Sequence, residues 1–111
     1  DTETAMQERL VALQDLARSC PMGFEILSQS LGLAGLLLVK NKAYGNSAAD
    51  PVRIFSRDLS ADSGILVRMD DKLSRLRALE VGSPDWNATL WDLAGYIVLW
   101  FVKDQRERGD G

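Results

Sequence analysis

"RMDDKLSRLRALEVGSPDWNATLWDLAGYIVLW" (Arg68–Trp100) carries two helical patterns on either side of one strong break. Before the break, Leu66, Met69, Leu73 and Leu76 recur at spacings of three and four, one face of a helix turned inward. After it comes a segment that is apolar almost all round, from Leu90 onward. The break is "EVGSPDW" (Glu80–Trp86), in which Ser83 is placed as a helix cap and Pro84 as the first helical residue. The spacing predicts one helix from about Ser63 to Leu79 and another from Pro84 to about Gln105.

Upstream the same period returns twice. Met6, Leu10, Leu13 and Leu16 form an apolar face over about Thr4 to Arg18, and "SCPMG" (Ser19–Gly23) then interrupts it. Phe24, Leu27, Leu31, Ala34 and Leu38 mark a helix from about Phe24 to Tyr44, with Lys40 and Lys42 in its last turns and Gly45 placed as a C-terminal cap. Between Asn46 and Asp62 the period disappears, apart from one turn of helix expected at "DPVRIF" (Asp50–Phe55). No strand-like alternation and no internal repeat are present. The expectation is a single all-α domain over 1–111, a four-helix arrangement with a long Tyr-Gly loop between helices 2 and 3.

Composition narrows the chemistry. The 111 residues include 46% hydrophobic and 26% charged side chains, enough for a core and a soluble surface. A net charge of −3 argues against a partner such as long nucleic acid, which needs a cationic face. With one cysteine, Cys20, and no histidine, an intrachain disulfide, a Cys-based zinc site and Ser-His or Cys-His nucleophiles are all excluded. Acid–base or metal chemistry then falls mainly to Asp and Glu. The acidic, polar N-terminus lacks a signal-peptide pattern, and the longest apolar run, Leu93–Val102, is about half a bilayer span. The expected location is the cytoplasm, with no membrane contact.

Three stretches hold the candidate ligand-binding residues. In the third helix Arg68, Asp71, Lys72 and Arg75 stand at i, i+3, i+4 and i+7, one stripe of mixed charge. Such a stripe is either a solvated face laced with ion pairs or a carboxylate beside cations that hold phosphate oxygens. In the fourth helix Asp92 and Tyr96 share a face, and Asp92 borders apolar turns where a carboxylate needs a cation, a metal or hydrogen bonds. A salt bridge from Asp92 to Lys72 or Arg75 satisfies that need as well as a metal does. Lys40, Lys42, Tyr44, Gly45, Asn46 and Ser47 combine cations, a stacking face, a close backbone approach and polar groups able to read a base or sugar. Trp86, Trp91, Trp100 and Phe101 lie on more than one face of the fourth helix, more than one small core covers, so a homodimer or larger homo-oligomer is expected.

Taken together, "KNKAYGNS", "RMDDKLSRL" and "DLAGYIVL" resemble the phage and bacterial nucleotide modification associated domain family. More loosely they resemble the all-α MazG-like nucleotide pyrophosphohydrolases. The resemblance covers roughly Leu36 to Val102 and implies a helical protein of nucleotide metabolism in a phage or prophage setting. MazG-like enzymes hold Mg²⁺ on a Glu-x-x-Glu helix and a second acidic helix. This chain has no Glu-x-x-Glu, and Asp70, Asp71 and Asp92 occupy the acidic stations. The resemblance therefore implies either of two activities. One is a Mg²⁺-dependent hydrolase with Asp71 and Asp92 as catalytic and metal-binding residues, the cations on phosphate, and Tyr44 with Asn46 on the nucleoside. The other is a non-catalytic binder that sequesters a nucleotide or signalling molecule. A helical protein-interaction module is the third alternative.

Overall fold

The computed structural model describes residues 1–43 and 61–109. Its secondary structure there is entirely helical: α1 (Thr2–Arg18), α2 (Gly23–Ala43), α3 (Ala61–Ala78) and α4 (Pro84–Glu107). The protein is all-α, as the periodicity predicts. The Tyr-Gly loop and the helical turn expected at Asp50–Phe55 lie outside the described residues. The chain divides into two compact units, Asp1–Leu36 and Leu37–Gly111.

The first unit holds α1 and most of α2. Asp1 starts α1 by accepting a hydrogen bond from the Thr4 backbone N–H at 2.8 Å. At the other end the Ser19 hydroxyl donates to the Leu16 carbonyl at 2.9 Å, satisfying one of the carbonyls a helix end leaves open. The link to α2 is tight. Met22 takes a left-handed φ of 59°, and Gly23 sits so close to α1 that an added Cβ would lie 2.1 Å from the Ala17 carbonyl oxygen. Ala17 and Gly23 are buried there, while Met6, Leu10, Leu13 and Leu16 are solvent-exposed. The apolar stripe read from the sequence is a surface stripe.

The stripe of α2 is exposed in the same way at Phe24, Leu31 and Leu38. Glu25 in its first turn and Lys40 and Lys42 in its last complement the helix dipole. By length and composition Gly23–Lys42 is long and apolar enough to cross a membrane, and none of that window is buried in the structure.

In the second unit α3 packs on α4. A short link, 79–83, joins them, with Gly82 at a φ of 85° and Ser83 accepting from the Trp86 N–H at 3.1 Å. Ser83 caps and Pro84 opens α4, as the sequence indicates. The face that α3 buries differs from the one expected. Ile65 is fully buried and Met69, Lys72 and Leu76 are half-buried, whereas Leu66 and Leu73 are 47% and 48% exposed. Ile65, Met69, Lys72 and Leu76 also follow a helical period, at i, i+4, i+7 and i+11. Of two adjacent stripes, α3 buries the one that carries the lysine.

Helix α4 does the corresponding thing. Its buried residues are Thr89, Gly95 and Lys103, and the Thr89 hydroxyl donates to the Asp85 carbonyl at 2.7 Å. Trp91, Ile97, Val98, Phe101 and Val102 remain exposed. Gly95 lies under Leu37 at the end of α2, whose Cδ2 would be 3.1 Å from an added Cβ.

Candidate functional site

The α3–α4 pairing brings four of the sequence-predicted residues together in two pairs. Lys72 Nζ and Asp92 Oδ2 are 3.1 Å apart, with side chains 21% and 38% exposed. The Arg68 guanidinium lies over the Tyr96 ring, 6.0 Å from its centroid, at the outer limit for a cation–π contact. A step of four residues back along α3 thus matches a step of four forward along α4. This is the register of an antiparallel helical pair, and it follows from the short link between the helices. One helical turn therefore separates the ion pair from the aromatic pair.

Asp92 meets the need for a partner through Lys72, the salt bridge that the sequence allowed. Lys72 is in turn held away from full solvation by its position in the α3 seam. Arg68 is half-buried and Arg75 exposed, and neither makes an ion pair with a carboxylate among the described residues. Asp70 and Asp71 are exposed and likewise make no such pair. Of the ion pairs that such a stripe could hold, none joins Asp71 to Arg68 or Arg75. Among the described residues α3 thus carries two guanidinium groups without a carboxylate partner on either side of a paired ammonium.

Lys40 and Lys42 are exposed at the end of α2, and no recorded ion pair or hydrogen bond joins them to α3 or α4 among the described residues. Tyr44, Gly45, Asn46 and Ser47 lie outside the described residues. Among the described residues no group of three or more Asp, Glu, Cys or His side chains could hold a metal ion. Asp71 and Asp92 thus stand as a metal pair on the sequence alone, and Asp92 would have to leave Lys72 to serve there.

The sequence reading missed Lys103. This residue is 8% exposed, pairs with Glu107 at 2.8 Å and lies 5.6 Å from the Trp100 ring centroid. Its signal was a single cation closing the apolar run at Val102, a position where the aliphatic stem can be buried and the ammonium paired. Comparison of the chain with protein-family models, curated proteins and solved structures finds no match, so the family resemblance rests on the three sequence stretches that carry it.

Proposed function

We propose that the protein binds a small phosphorylated ligand, a nucleotide in the setting that the resemblance implies, along the α3–α4 pair. The observation that carries the reading is the placement of Arg68 and Lys72 one turn apart against Tyr96 and Asp92. Cations at that spacing, with Arg75 continuing the row, suit phosphate oxygens, and guanidinium groups take them bidentately. An aromatic ring beside them supplies a face for a base. Lys40, Lys42 and the stretch Tyr44–Ser47 would complete the site from the preceding part of the chain. The protein acts in the cytoplasm of a bacterial host.

A hydrolytic version adds Mg²⁺, with Asp71 and Asp92 as its ligands. Asp71 is exposed and makes no ion pair among the described residues, which leaves its carboxylate open to a cation. When bound, the ion would supply charge neutralisation and an activated water. Calorimetric titration with a nucleotide panel tests binding, and phosphate release with and without Mg²⁺ tests turnover. Binding without release selects the sequestering form.

A specific observation also favours an interaction role for the other faces. Trp91, Ile97, Val98, Phe101 and Val102 are exposed on α4, and Leu66 and Leu73 on α3. Exposed apolar residues in this number on so short a hairpin fit association with a second copy of the chain.

A further inference from the structure

We infer that Asp92 is an internal competitor for the anion site, a carboxylate that occupies Lys72 until an incoming anion displaces it. The inference rests on the reading that α3–α4 binds a phosphorylated ligand, and it deepens that reading by naming what regulates the site.

Three observations lead to it. The Lys72–Asp92 pair at 3.1 Å joins two helices, whereas the other ion pairs between described residues each lie within one helix or at its end, three or four residues apart. Lys72 is the middle cation of a row in which Arg68 and Arg75 have no carboxylate partner among the described residues. The row's central charge is therefore the one that the fold neutralises. Finally, Asp92 stands one turn from Tyr96 on the same face of α4, within the patch a ligand would cover.

An anion seeking Lys72 must either replace the Asp92 carboxylate or lie beside it, and in both cases it meets a like charge. The displacement is feasible because both partners keep contact with water, at 21% and 38% exposure. A deeply buried pair would lock the site, and a fully exposed one would not guard it. The Arg68 guanidinium lies over the ring of Tyr96, one turn away, and takes no part in the exchange at Lys72. On this account Asp92 lowers affinity for every anion without shaping the site. Its role is opposite to that of a metal ligand, whose loss weakens binding.

The test is calorimetric titration of inorganic pyrophosphate in EDTA into wild-type protein, Asp92→Asn, Lys72→Gln and the double variant, each checked for helical circular dichroism. The expected result is a gain of about fivefold or more in affinity for Asp92→Asn over wild type, the lower end of typical site-to-site coupling. That gain should vanish in the double variant, because Lys72 is the group being freed. Asp92→Ser, made in parallel, removes the carboxylate with a different side chain should Asp92→Asn fail to fold. Equal or weaker binding by the folded Asp92 variants, with wild type binding measurably, overturns the inference and leaves the anion site standing. Binding by none of the proteins overturns both.

Discussion

Lys72 of α3 and Asp92 of α4 form an ion pair of 3.1 Å across the two helices. One turn away, Arg68 and Tyr96 meet in the same antiparallel register. A charged residue at a helix seam takes the place of an apolar one, and pairing offsets the cost of holding it away from water. A double-mutant cycle on Lys72→Ala and Asp92→Ala should give a coupling of about 1 kcal/mol by urea unfolding, the upper end for partly exposed pairs. Strictly additive single effects would show that the pair contributes nothing.

The glycines at two close approaches should behave oppositely. Gly23→Ala puts a Cβ 2.1 Å from the backbone oxygen of Ala17, which cannot give way without opening the turn. It should lower stability by about 1–3 kcal/mol. Gly95→Ala meets only the side chain of Leu37, whose Cδ2 at 3.1 Å is its mobile end, and gains about 1 kcal/mol of helix propensity. Thermal unfolding should show Gly95→Ala unchanged or stabilised, and a loss comparable to that of Gly23→Ala would contradict the packing described.

The helix ends were legible because their chemistry is local. Ser83 and Pro84 act where capping and fixed φ require, and both ends of α1, the start of α2 and the end of α3 fall within a residue or two of the periodic segments. Which face each helix buries was not legible. The pattern Leu66, Met69, Leu73, Leu76 and the pattern Ile65, Met69, Lys72, Leu76 are both helical stripes, a small rotation apart. Hydrophobicity alone prefers the first. The second wins where Lys72 and Arg68 find Asp92 and Tyr96, a choice made by the partner helix and invisible in the period of α3. The Asp92–Lys72 bridge was legible as one option beside Arg75 and a metal, because Asp92 needed a partner.

The exposed apolar face of α4 leads to a prediction about assembly. Phe101 is 63% exposed and belongs to a set with Ile97, Val98 and Val102 on successive turns. Light scattering at tens of micromolar should give a dimer or larger mass, and Phe101→Glu should reduce it to that of a single chain. A monomer mass for the wild type would remove the self-association account.

Tyr44 and Asn46 lie outside the described residues, and their expected role is to position the nucleoside. Base stacking on an aromatic ring contributes about 1–3 kcal/mol, so Tyr44→Ala should weaken nucleotide binding about 5- to 150-fold. Calorimetry on the folded variant reads this directly. Unchanged affinity would leave Tyr96 as the ring available to a base.

The cations of α3 bear the central claim. The most direct measurement is a calorimetric titration of nucleoside mono-, di- and triphosphates into the wild-type protein and the Arg68→Ala/Arg75→Ala variant at two ionic strengths. The account predicts saturable binding of at least one nucleotide by the wild type. That binding should weaken at higher salt and drop about tenfold or more in the variant, which lacks both guanidinium groups. A folded wild-type protein that binds none of them, or a variant that binds as well as the wild type, would contradict it.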